Sequence, residues 1–558
     1  MDLIIRDALV FDGLGNPGGV VSDVAVADGR IAAIGPGLAT NGGDEIDASG
    51  LALMPGIIDT HTHYDAQITW DSGLNPSPAL GVTTAVIGNC GFTIAPCRAV
   101  DRDLIMRNLT QVEGMSIDVL RSGINWDFES FADYLDAIEA RGTMPNVAAF
   151  LGHSSIRTYV MGEAAVERPA SDDELAEMRK IVVDGMAAGA IGFSTSTAPQ
   201  HNGVGGIPMP SRLADDLELK TLVSAMGEQG IFMLTKGDRT DVPYLEALAA
   251  EAGRPVMIAA LLHNSTAPDN TFKDLRQIAE ARTRGHELWG QVSCCPLTND
   301  FTLKSAYPVE GFVAWKPAMQ VKGEALKRLY MDADFRQSVK DELARPAGVR
   351  LFNGEWNKIE LIEAAKPENR PLEGKTVDVL AAEAGVDPLD WMLDFAVSED
   401  LESVFTAVLL NSDEDAVGRM IRDPNASVSL SDAGAHLTFF CDAGFGLHLM
   451  GHWSRDLGIL PLGEAVRELT SKPAEIFRIP QRGRIAPGYH ADLLLFDPAT
   501  VARGPKKRVF DLPGGAPRLT TDGVGVHGVW VNGRRIVDEK GVLEGGGNPG
   551  SVLRQFDA

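Results

Sequence analysis

Short apolar runs bounded by Gly, Asn and Asp open the chain: LIIRDALVF, DVAVADGRIAAIG and EIDASGLALMP, with no helical period between them. That spacing predicts strands joined by tight turns, and so a small β-domain. From Gly56 short apolar runs alternate with amphipathic stretches, as a parallel sheet with crossover helices requires. Eight runs read as its strands: IIDTHTH, VTTAVIGN, NVAAFLGH, AIGFSTST, IFMLTK, PVMIAALLH, ELWGQVS and SVSLSDA. Between them lie helices such as the one opened by Ser171, where Glu174 completes a capping box and Met178, Ile181, Val182 and Met186 follow at helical spacing. The pattern predicts an α/β chain built on a (β/α)8 TIM-like barrel rather than an open sheet.

The seventh and eighth strands are about 130 residues apart, from Pro296 to Asn425, far more than a connection in a compact domain needs. This marks an insertion. VDVLAAEAGV and PLDWMLDFAV within it read as helical, and the aromatic-rich piece from Phe301 to Trp315 forms either a lid or pocket wall, or the small core of a surface excursion. After the barrel, GRIAPGYHADLLLFDP and GVGVHGVWVNGRRIVDEKG return to strand-and-turn chemistry. The expected division is residues 1–55 and 479–558 as the two parts of one β-sandwich, with 56–478 as the barrel, including the insertion at about 296–425. The Gly-rich GGGNPGS tail after Glu544 is expected to be mobile or loosely docked.

Composition narrows the classes. With 50 basic and 77 acidic side chains the formal charge is −27, which repels nucleic acid. The 44% hydrophobic and 23% charged content is that of a soluble globular protein. No run of about 18 apolar residues occurs, and MDLIIRDALVFDG lacks the blocks of a secretory signal, so a cytoplasmic protein with no membrane partner is expected. Cys90, Cys97, Cys294, Cys295 and Cys441 are odd in number with no CxxC pair, which argues against a disulfide framework.

The sharpest chemical signal is PGIIDTHTHYD, where His61 and His63 lie two apart on a strand and so point the same way. Two imidazoles can then share one metal. Cys90, Lys236, His263 and Asp432 also fall at predicted strand ends, where barrels of this kind carry their active sites. Zinc accepts nitrogen, sulfur and carboxylate oxygen, so this set forms one or two sites with an open water position. Lys236 is the exception, since an ammonium cannot ligate metal: it is neutral, carbamylated or only nearby.

VFDG, PGIIDTHTHYD, GNCGF, GHSSIR, GAIGFSTS, LSDAGAH, GHWSRD, EAVRELTSKPAEIF and GRIAPGYHADLLLFDP together resemble the amidohydrolase superfamily, and within it the D-aminoacylase or N-acyl-D-amino-acid deacylase group. The likeness runs over nearly the whole chain. It implies a zinc-dependent hydrolase of a linear amide, with deacylation of an N-acyl-D-amino acid as its sharpest form. The alternatives are a cyclic-amide hydrolase like the hydantoinases and dihydroorotases, or a barrel that has lost its metal and serves as a scaffold. By resemblance His61, His63 and Asp432 serve one metal, and Cys90 and His263 the second. Asp432 would also take a proton from the attacking water and deliver it to the departing amine. His153 would sit beside the scissile group, or serve as a structural hydrogen bond. The superfamily also implies a dimer or larger assembly.

Two departures from the group stand out. Its fifth strand ends in a Thr-His pair that supplies a metal ligand, whereas TKGDR here puts Lys236 in that place. A carbamylated Lys236 would be an anionic bridge between two metals; an ammonium there would leave one. The group also places an arginine soon after the catalytic aspartate to hold the substrate carboxylate, but here none appears until Arg455. Phe439, Phe440, Phe445 and Leu447 make either a more apolar pocket or ordinary packing. Arg157 or Arg212 is left to replace the clamp, with His201, Asn202 and Arg212 on the loop HNGVGGIPMPSR after the fourth strand.

Overall fold

A computed structural model describes residues 1–557 apart from 41, 113, 346–349 and 436–441. All eight predicted barrel strands form: β1 (Ile57–Asp59), β2 (Val82–Ile87), β3 (Asn146–Gly152), β4 (Gly192–Ser196), β5 (Ile231–Thr235), β6 (Val256–Leu261), β7 (Leu288–Val292) and β8 (Ala426–Val428). They pair in parallel and in chain order. The sheet's two edges meet just past the strand ends, where Thr60 N donates to Ser429 O at 3.2 Å, Asp432 N to His61 O at 3.1 Å and His63 N to Ala433 O at 2.7 Å. β2 and β3 are buried at every position, as expected of parallel strands covered on both faces.

The helix Asp172–Ala188 carries the predicted capping box, with Ser171 and Glu174 each accepting the other's backbone N–H. It stops at Gly189, whose φ of +108° suits glycine and whose missing Cβ admits the side chain of Arg554.

The two chain ends share one nine-stranded sheet, joined where Leu493–Phe496 runs antiparallel to Ala52–Pro55. Leu3, Ile5, Val24, Val26, Leu53, Leu493, Leu495 and Trp530 fill its core. The insertion is a three-stranded sheet, Leu297–Thr302, Val404–Leu410 and Ile359–Glu363, with helices packed around a separate core. Phe301, Phe312 and Trp315 are buried in that core, so the aromatic piece holds the insertion together and is no lid.

The C-terminal tail departs from expectation. Residues beyond the glycines are bound across β3: Val147 N donates to Ser551 O at 2.9 Å and Leu553 N to Val147 O at 2.7 Å. Arg554 reaches Asp136 at 2.6 Å and Glu139 at 2.8 Å. Backbone groups in buried strands need partners, and the tail supplies them for Val147. Among the described residues no helix is long and apolar enough to cross a membrane.

Candidate metal centre

Because β1 stays extended beyond Asp59, His61 and His63 turn the same way and come together at the barrel mouth. His61, His63 and Cys90 are buried, and their ligand atoms lie within 4.8 Å of one another. Cys90 Sγ is 3.4 Å from His61 Nε2 and 4.0 Å from His63 Nε2. Asp432 Oδ1 is 3.2 Å from His61 Nε2 and 3.5 Å from His63 Nε2. Cys90 and Asp432 adopt left-handed backbone, with φ of 58° and 51°. Such conformations cost about 1–3 kcal/mol each in non-glycine residues and persist only where neighbours enforce them. For Asp432 the enforcement is its own N–H bond to His61 O and the hydrogen bond that Ser431 Oγ donates to the buried Asp59 carboxyl.

These spacings fit a metal. Zinc takes nitrogen and oxygen at about 2.0–2.1 Å and sulfur at about 2.3 Å, so the edges of a tetrahedron around it run about 3.4 Å between nitrogen and oxygen and about 3.6 Å between nitrogen and sulfur. The His–Cys separations of 3.4 and 4.0 Å and the His–Asp separations of 3.2 and 3.5 Å lie near those edges. His61 and His63 are 2% and 5% exposed, whereas the Asp432 side chain is 20% exposed and can exchange protons with solvent.

Burial pushes the Cys90 thiol up, but the charges and hydrogen bonds of His61 and His63 outweigh it and bring the thiol down to about 7. A thiol so poised ionises readily to the form that ligates metal. His61 is raised: burial works against its charge, and Cys90 and Asp432 prevail. Burial lifts Asp59 to about 7, despite the hydrogen bonds from Ser431 Oγ and the His61 N–H.

The other predicted residues are placed differently. Lys236 Nζ lies 2.5 Å from Asp274 Oδ2 and stands outside the three-residue group of His61, His63 and Cys90. His263 is buried at the end of β6 but stands outside the three-residue group. Its backbone is locked to Asn411, whose Oδ1 accepts from His263 N at 2.7 Å and whose N donates to His263 O at 2.8 Å. Its Nδ1 has no hydrogen-bond partner among the described residues.

His153 is fully buried, with Nδ1 at 2.8 Å from Thr195 Oγ1 and Nε2 at 2.7 Å from Glu218 Oε1. Both ring nitrogens are occupied, as the structural hydrogen-bonding reading of His153 expects. Arg157 is fully buried too: Nη1 is 2.6 Å from Glu218 Oε1, and Nη2 donates to Arg168 O at 2.9 Å. The substrate-clamp reading of Arg157 therefore gives way to a buried ion pair.

His201 accepts from or donates to Ser196 Oγ through Nδ1 at 2.6 Å, and its ring packs 4.9 Å from that of Phe92, which lies 6.4 Å from His63. Arg212 Nη1 donates to His201 O at 3.1 Å and to Asn202 Oδ1. Burial lowers the Arg212 pKa. Phe445 and Leu447 are wholly buried in the main core, hence packing. Phe439 and Phe440 lie outside the described residues.

Sequence reasoning missed Gln291 and Glu218. Gln291 Oε1 lies 2.7 Å from His61 Nδ1. A glutamine inside the buried run LWGQV was the available signal. Glu218 resembles any acid in the first turn of a helix, and nothing in the sequence singled it out.

Comparisons with known proteins give the family. A model of the amidohydrolase family matches residues 44–320 and 358–537. A D-aminoacylase of Alcaligenes xylosoxydans xylosoxydans is 30% identical over 568 residues, covering 100% of this chain and 98% of that protein. An uncharacterised protein of Mycobacterium tuberculosis is 30% identical over 526 residues, 89% of this chain and 84% of its own. Among solved structures, a D-aminoacylase described for its binuclear metal centre, with one-metal activation and second-metal attenuation, superposes with a TM-score of 0.67 at 26% identity, covering 99% of this chain and 100% of that one. The N-acyl-D-glutamate deacylase of Bordetella bronchiseptica, complexed with zinc and a phosphonate inhibitor, shares the fold with a TM-score of 0.68 at 24% identity and full coverage of both chains. The chain belongs to the amidohydrolase family.

Proposed function

We propose that this protein is a zinc-dependent hydrolase of a linear amide C–N bond that deacylates N-acyl-D-amino acids. The observation that carries the reading is the gathering of His61, His63 and Cys90 at the barrel mouth, their ligand atoms within 4.8 Å of one another, with Asp432 Oδ1 3.2 Å from His61 Nε2 and 3.5 Å from His63 Nε2. Similarity to a D-aminoacylase along the whole chain supports the substrate class. Nitrogen and sulfur donors suit zinc among the common divalent ions. His61, His63 and Cys90 would hold the ion, with Asp432 beside both imidazoles. When bound there, zinc supplies the Lewis acidity that makes water a nucleophile near neutral pH.

The chain's own residues do the rest. Asp432 takes the proton of the water as it adds to the amide carbon, then passes it to nitrogen as the C–N bond breaks. Arg212 anchors the substrate carboxylate: its guanidinium is half-buried, held by His201 O and Asn202 Oδ1, with no carboxylate against it among the described residues.

The test is a panel of N-acetyl-D-amino acids, their L-enantiomers and cyclic amides with the zinc-loaded protein. Release of D-amino acids in preference to L is expected. Turnover confined to cyclic amides, or to L-substrates, would remove the reading.

A further inference from the structure

We infer that Gln291 is a positioning residue for the metal centre: its carboxamide holds the His61 ring in one tautomer and one orientation, and so sets how tightly the metal is bound. The inference rests on the reading that His61 ligates metal, and it adds a residue from the opposite side of the barrel seam.

Gln291 lies on β7 and is fully buried. A carboxamide without partners in such a place is costly, so its hydrogen bonds dictate its orientation. One end of the amide is 2.9 Å from Thr60 Oγ1 and 3.4 Å from Ser429 O. A backbone carbonyl only accepts, so the NH2 group faces it and the amide oxygen faces the other way. That oxygen is 2.7 Å from His61 Nδ1. An acceptor there requires the ring proton on Nδ1, and a neutral imidazole protonated at Nδ1 carries its lone pair on Nε2. Nε2 is the atom 3.4 Å from Cys90 Sγ and 3.2 Å from Asp432 Oδ1. The lone pair is therefore aimed into the donor group before any ion arrives.

The anchor for this arrangement is rigid. Thr60 Oγ1 is 2.7 Å from Ser429 Oγ, and Ser429 Oγ is 3.0 Å from Ser427 Oγ. The network thus ties β7 to the segment after β1 and to β8, across the seam where the sheet's edges meet. Partners that orient a metal-bound histidine are typically worth about 10–100-fold in metal affinity. Gln291 supplies that orientation with a neutral acceptor.

The experiment compares zinc affinity, by competition with a chromophoric chelator, in the wild type, Gln291→Met and Gln291→Glu, alongside the melting temperature of each metal-free protein. Gln291→Met keeps the volume and loses the acceptor: its zinc Kd should rise about 10–100-fold, with the metal-free melting temperature near that of the wild type. Gln291→Glu retains an acceptor toward Nδ1 and should return affinity to within a few-fold of the wild type or tighten it. A Gln291→Met protein that binds zinc as tightly as the wild type overturns the inference. So does an equal loss in both variants accompanied by a matching fall in metal-free stability, the mark of packing alone. If Gln291→Met does not fold, Thr60→Val, which removes one anchor of the amide, should weaken zinc several-fold, and unchanged affinity would count against the inference. A wild type with no zinc affinity overturns the metal reading itself and this inference with it.

Discussion

The barrel holds two buried histidine clusters that look alike in composition and differ in what they lack. In one, His153, Glu218 and Arg157 form a closed set: the histidine uses both ring nitrogens, and the carboxylate faces a guanidinium. Burial lowers the His153 pKa against the pull of Glu218, and the ring needs no further partner. In the other, His61, His63 and Cys90 bring three electron-pair donors within 4.8 Å of one another, and Asp432 Oδ1 lies against both imidazoles. Such a group is satisfied by a cation. Burial and polarity therefore do not separate site from scaffold; the balance of donors against positive charge does.

Substitutions can break or sharpen that contrast. The largest effect expected is from Asp432→Asn, which should lower kcat by about 10²–10⁴-fold with the melting temperature unchanged, since it removes proton transfer but not shape. Glu218→Ala should act on the other cluster by stability: stripping the partner from a buried charge costs about 3–5 kcal/mol, read from the urea midpoint, with zinc content preserved. Loss of zinc in that variant would erase the distinction. Arg212→Ala should lower kcat/KM for N-acyl-D-amino acids about 10–100-fold through KM, as expected for a charged hydrogen bond worth about 1.5–3 kcal/mol, and leave substrates with a blocked carboxylate unaffected.

A histidine outside both clusters gives the smallest effect. His448 is pushed down to about 3 by burial, then by Arg503 and His452. The folded state resists a proton that the unfolded chain takes near 6.5, so this contribution is full above about pH 6.5 and is lost as pH falls toward 3. His448→Gln should flatten the fall of the urea midpoint between pH 6.5 and pH 4, and an identical slope in both proteins would exclude the residue from acid sensitivity.

The eight barrel strands and the helix opened by Ser171 were legible because their signals are local: apolar runs bounded by turn residues, and a cap with its partner three positions on. His61 and His63 were legible for the same reason, as period two on a strand needs no tertiary knowledge. What stayed hidden depends on distant partners. Gln291 meets His61 across 230 positions of chain, and Arg554 meets Asp136 across 418. His153 and Arg157 read as chemical from their motif, but the carboxylate that consumes them belongs to a later helix. Composition made the Gly-rich tail look loose, while its use as a partner for β3 is written in the strand it covers.

The most direct test is the zinc content per chain of the purified wild type and of a His61→Ala/His63→Ala double variant, by elemental analysis after dialysis. One zinc in the wild type and none in the variant is expected. Two ions in the wild type, or an undiminished content in the variant, would contradict the gathering of these donors around a single metal.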